Sequence, residues 1–74
     1  MDTIIGYDTT DGHNEKITLT AVDDLFYISC DVFDWAHDVT EEQAGILTGS
    51  NFDEKIKILD DVTCGCSESW FEAA

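Results

Sequence analysis

Five carboxylates crowd into Asp31-Val-Phe-Asp-Trp-Ala-His-Asp-Val-Thr-Glu-Glu42. On an α-helix, at about 100° per residue, Asp31, Asp34, Asp38, Glu41 and Glu42 fall within roughly 100° of arc. Val32, Phe33, Trp35, Ala36 and Val39 fill most of the other side. The spacing predicts a helix with an apolar face and a row of acids containing no cation. Like charges three and four apart cost about 0.2–0.5 kcal/mol per pair, and a face that only had to be solvated could intersperse lysine and arginine without that cost. Asp23 and Asp24, Glu41 and Glu42, Asp53 and Glu54, and Asp60 and Asp61 are four acidic pairs at expected element ends. Each pair alone reads as a cap or a solvated turn. Jointly they predict a continuous negative surface. On a helix, Asp31 to Asp38 would span about 10 Å, comparable with a few phosphates spaced about 3.4 Å apart along a strand axis.

Other chemistry is thinner. Cys64-Gly-Cys66, with Cys30, His13 and His37, offers zinc-ligand types. Structural zinc usually takes two paired ligand sets, and there is one pair here, so loop thiols beside a buried Cys30 are the simpler reading. Cys30 and His37 lie seven apart, with no activating motif around either. The Asp-x-Asp-x-Asp-Gly calcium loop is absent: counted back from Gly12, its first position is Tyr7. No phosphate loop, Gly-x-Ser-x-Gly or His-Glu-x-x-His occurs. Residues 40–59 faintly suggest a helix-turn-helix, but a reading head needs arginine and lysine for phosphates, and the second helix would begin with Asp53-Glu54. These residues predict a non-enzymatic protein with no cofactor and no direct nucleic-acid binding.

Charge dominates the composition. Of 74 residues, 17 are Asp or Glu and 3 are lysine, with no arginine, for a formal net charge of -14. Such a field repels nucleic acid and anionic membranes and attracts basic surfaces. A halophile surface is one explanation, yet halophilic chains tend to lose lysine and isoleucine and keep arginine, and this chain has seven isoleucines. Asp outnumbers Glu, and its shorter side chain has fewer rotamers to freeze, which suits a fixed charge pattern. Two Trp, four Phe and 43% hydrophobic residues argue against disorder. The length fits one domain over residues 1–74 with a small core. No apolar run approaches the roughly 20 residues of a membrane span, and Met-Asp-Thr-Ile-Ile lacks a basic signal start. Three cysteines do not describe a disulfide framework. A cytoplasmic location is expected.

These residues must be positioned by an α+β domain: two to three N-terminal antiparallel strands packed on two to four short helices. Residues 2–7 and the alternating Glu15–Val22 read as strands around an Asp8–Gly12 turn. Asp23-Asp24 reads as a tight connection into a third strand, Leu25–Cys30. A helical stripe through Val22, Leu25, Phe26, Val32, Phe33 and Ala36 competes, with Thr20 and Asp23 resembling a capping box. The strand is preferred because Phe-Tyr-Ile is poor helix material. Asp31 would cap the acidic helix, with a break near Asp38–Thr40. Thr40 and Gln43 signal a new helix through Leu47, ended by Gly49. Asn51 and Glu54 start another, with Phe52, Ile56 and Leu59 on one face and Lys57 in reach of Asp53 and Asp61. A strand over 55–59 is the alternative there. Asp60 and Asp61 would sit at the unfavourable end of that helix dipole without local reward. Thr63–Cys66 reads as a loop, and Ser67 as the cap of a helix over 68–72.

In size, charge and lack of catalytic signature the chain resembles small phage-encoded inhibitors that mimic DNA, anti-CRISPR proteins among them. The resemblance is one of composition, covers the whole chain and assigns no residue. It implies a basic nucleic-acid-binding host protein as partner, most specifically a CRISPR effector complex in the host cytoplasm. Two rival classes stand beside it: an acidic interaction or regulatory module without mimicry, and a zinc- or calcium-binding module.

Overall fold

Period-two alternation sets the framework. The computed structural model describes residues 2–63 and 65–74. Strands β1 (Asp2–Asp8), β2 (Glu15–Val22), β3 (Leu25–Cys30), β4 (Trp35–Val39) and β5 (Phe71–Ala73) form one antiparallel sheet in the order β4-β3-β2-β1-β5. Helices α1 (Glu41–Leu47) and α2 (Phe52–Val62) and a 3-10 turn, Ser67–Ser69, complete an α+β fold. Ile17 and Leu19 of β2, Ile28 and Cys30 of β3, and Val39 of β4 point to one face, where Ala44, Leu47 and Leu59 of the helices cover them. Ile17, Ile28, Leu47 and Leu59 are fully buried, each contributing about 1.5–3 kcal/mol.

The other face carries no helix. Ile4, Thr18, Ser29 and Ala36 form one row across it, Asp2, Thr20, Tyr27 and Asp38 the next, and Val22 and Leu25 the end. Ile4, Val22 and Leu25 are exposed.

Both helix starts follow their local signals. Thr40 Oγ1 accepts from Gln43 N–H and Gln43 Oε1 accepts from Thr40 N–H, a complete capping box. Asn51 Oδ1 accepts from Glu54 N–H. The strand alternative over 55–59 is excluded by α2, in which Lys55 is buried along its stem.

Two expectations are corrected. Residues 31–42 are not one helix: 31–34 form the turn of a β3–β4 hairpin closed by the Cys30–Trp35 pair, and 35–39 is strand. Asp31 therefore caps no helix. The hairpin gives β3 a partner from Phe26 to Cys30 and turns Trp35, His37 and Val39 inward. It also spreads carboxylates that a helix would have stacked. Asp34 adopts φ 53, a left-handed conformation that aspartate tolerates better than most residues. The 68–72 helix is likewise absent: the chain makes the 3-10 turn and enters β5, so the sheet has five strands rather than two or three.

Candidate functional site

The eleven carboxylates singled out from the sequence are all exposed: Asp23, Asp24, Asp31, Asp34, Asp38, Glu41, Glu42, Asp53, Glu54, Asp60 and Asp61. They do not form one row. Asp23 and Asp24 make the two-residue β2–β3 turn, with Asp23 at φ 56. The same end of the sheet receives Glu41 and Glu42, since Val39 pairs with Phe26 just before α1 begins. Asp31 and Asp34 lie at the opposite end, in the β3–β4 turn. Asp38 stands between the two ends on the bare face, beside Tyr27.

Glu41, Glu42, Asp53 and Glu54 occupy the first turns of α1 and α2, where free N–H groups favour negative charge. Asp60 departs from the expectation that it lacks local reward. Its Oδ1 accepts from Ser67 N–H at 2.9 Å and lies 2.5 Å from the buried Ser67 hydroxyl. The Ser67 hydroxyl, and then its N–H, hold the Asp60 carboxyl below its ordinary value of 3.8. Ser67 thus ties the 3-10 turn to α2 rather than capping a helix. Among the described residues no lysine forms an ion pair with a carboxylate, so Lys57 does not bridge Asp53 or Asp61. Among the described residues Lys16 and Lys57 are the exposed lysines.

A second feature had no sequence signal of its own. A cleft of about 450 Å³ opens between the inner sheet face and the end of α2, lined by Asp8, Thr10, Trp35, His37, Val62, Thr63 and Trp70. Asp8 faces it because of a bulge. Ile4 pairs with Thr18 and Gly6 with Ile17, leaving Ile5 as an extra residue in β1. One inserted residue reverses the phase of everything after it. Ile5 stays buried, Tyr7 points to the bare face and Asp8 points inward. Asp8 Oδ1 then accepts from Thr10 N–H and Thr10 Oγ1–H. Thr9 N–H and Oγ1–H both donate to the Trp70 carbonyl, which anchors that residue beside β1. The Trp70 ring meets Trp35 edge-on, with centroids 6.1 Å apart. Trp35 also lies 5.4 Å from His37, two residues along the same inward face.

Cys30 is buried and Cys66 exposed. Among the described residues no three His, Cys, Asp or Glu side chains converge as a metal site, and Cys64, part of the zinc reading, lies outside the described residues. Among the described residues no helix is long and apolar enough to cross a membrane. Comparison with known protein families, curated proteins and solved structures finds no match to this chain.

Proposed function

We propose that this protein is a non-enzymatic inhibitor that sets carboxylates where a basic host protein would hold nucleic-acid phosphates, with a CRISPR effector complex as its target. The observation that carries the reading is the exposure of all eleven carboxylates with no lysine paired to any of them. Turns and helix starts fix where eight of these acids leave the backbone, and strand β4 and the last turns of α2 fix Asp38, Asp60 and Asp61, so the negative pattern is held by the fold. Opposite charge steers such a surface onto a basic groove, and association weakens with salt. The acids of the two hairpin turns and of the helix starts replace the single helical row as the elements that would meet the partner's lysines and arginines.

The test is displacement of target DNA from a purified effector complex. Rising inhibitor should release the DNA, and the release should weaken when Asp31, Asp34 and Asp38 become Asn. DNA binding that is indifferent to the protein overturns the CRISPR assignment.

A second reading has its own observation. The bare sheet face, with exposed Ile4, Val22 and Leu25 among threonines and tyrosines, suits an interaction module whose acids serve solubility. Its binding would tolerate salt and would fail on Val22→Lys rather than on loss of acids.

A further inference from the structure

We infer that the cleft between Trp35, Trp70 and Asp8 is a receptor for a guanidinium group, supplied by an arginine side chain on the basic partner. The source of the arginine rests on the function proposed above; the chemistry of the cleft does not. Its volume, about 450 Å³, lies within the roughly 300–1,000 Å³ of ligand sites.

Three features of the cleft select a planar cation. Its aromatic walls are fixed. Trp35 is held in the β3–β4 hairpin by its pair Cys30, and Trp70 by the two donors of Thr9 and by an edge-on contact with Phe71 at 6.4 Å. Indole faces attract cations, and guanidinium also stacks on them.

A carboxylate lies on the cleft wall. Asp8 is only 5% exposed, an expensive place for a charge that lacks a cation. Thr10 serves Oδ1, and among the described residues nothing donates to Oδ2. That oxygen is not sealed away, since among the described residues no buried side-chain oxygen or nitrogen lacks a partner. Glu15 is the cross-strand neighbour of Asp8, and like charges directly opposite one another raise the cost further. No lysine of the chain offsets it.

The backbone adds to the same sign. Val62 and Thr63 bring the carboxyl end of α2 to the cleft, where helix carbonyls favour positive charge. The last turn of α2 contains no basic residue.

Arginine fits better than lysine. A compact ammonium satisfies Asp8 but gives up stacking on the indoles, whereas a guanidinium can do both.

The experiment follows the two indole N–H resonances of the whole protein during titration with N-acetyl-arginine-N-methylamide, its lysine counterpart, and the uncharged citrulline counterpart. Saturable shifts of both indoles are expected with arginine, weaker ones with lysine and none with citrulline. Asp8→Asn retains an acceptor for Thr10 and should lower the arginine affinity about tenfold or more, the weight of one charge-assisted contact. Equal response to arginine and citrulline, or no saturable response to arginine, overturns the inference without any variant. An arginine affinity unchanged in folded Asp8→Asn also overturns it. Effector displacement that persists alongside either result would retire the cleft and leave the inhibitor reading standing.

Discussion

The bare sheet face and the two ends of the sheet divide the surface between them in opposite ways. Across the middle of the face run Ile4, Thr18, Ser29 and Ala36, and then Thr20 and Tyr27, with Asp2 and Asp38 only at the margins. The ends carry Asp23, Asp24, Glu41 and Glu42 on one side and Asp31 and Asp34 on the other. A third row, Glu72, Tyr7 and Lys16, also carries its acid on the edge strand, so a chain of charge -14 has kept its acids to the margins of the broadest flat surface it owns. Aspartate is at home in turns and at helix starts, where left-handed backbone or free N–H groups reward it. Strand centres reward β-branched and aromatic side chains instead. Local chemistry alone therefore accounts for where most of the acids leave the chain, Asp38 in β4 and Asp61 at the end of α2 excepted. It does not account for the near absence of cations between them, and that is where the functional reading draws its weight.

Stability measurements sharpen this division. Ile28 and Leu25 share β3 but differ completely in burial, at 0% and 72% exposed. Ile28→Ala should cost about 2–5 kcal/mol in chemical denaturation, and Leu25→Ala less than about 0.5 kcal/mol. A comparable loss at both positions would mean that the bare face is covered in the free protein. Gly6→Ala should come next. Its new Cβ would lie about 2.5 Å from the Glu72 carbonyl oxygen and against the Phe71 ring, costing about 1–3 kcal/mol as overpacking. Loss of amide protection confined to β5 is the expected signature.

The smallest effect separates a partnered acid from the unpartnered ones. Ser67 holds Asp60 ionised below its ordinary 3.8, so folded protein keeps the charge where unfolded chain takes up a proton. The stability this contributes is complete above about pH 3.8 and disappears as pH falls through the lower folded value. Asp60→Asn should flatten that part of the stability profile, and an unchanged profile would show that the Ser67 contact is not held in solution.

Much of this architecture was legible from residue order. Thr40 with Gln43 and Asn51 with Glu54 marked both helix starts because capping is local chemistry. The alternation of Ile17, Leu19 and Ala21 marked β2. Residues 31–39 misled because apolar and acidic positions there satisfy a helical period and a two-residue period at once. The choice was made by β3, which needed a neighbour, and no local signal carries that need. Strand β5 is only three residues long and exists through pairing with Gly6, Tyr7 and Asp8. The cleft was hidden for a related reason. Asp8, Trp35 and Trp70 lie far apart in the chain, and the inward turn of Asp8 depends on one bulged residue. The exposure of the eleven acids followed from their type, but the separation of Asp31 and Asp34 from Asp23, Asp24, Glu41 and Glu42 followed from the hairpin.

The most direct test of the account is the salt dependence of binding to an effector complex, measured for wild type and for two variants. One variant replaces Asp23, Asp24, Asp31, Asp34 and Asp38 by their amides, and the other is Val22→Lys on the bare face. The account predicts that wild-type affinity falls steeply with salt, that the amide variant loses both affinity and slope, and that Val22→Lys retains the slope. Affinity that is flat with salt, unmoved by the amides and abolished by Val22→Lys would contradict it and assign binding to the apolar residues of the bare face.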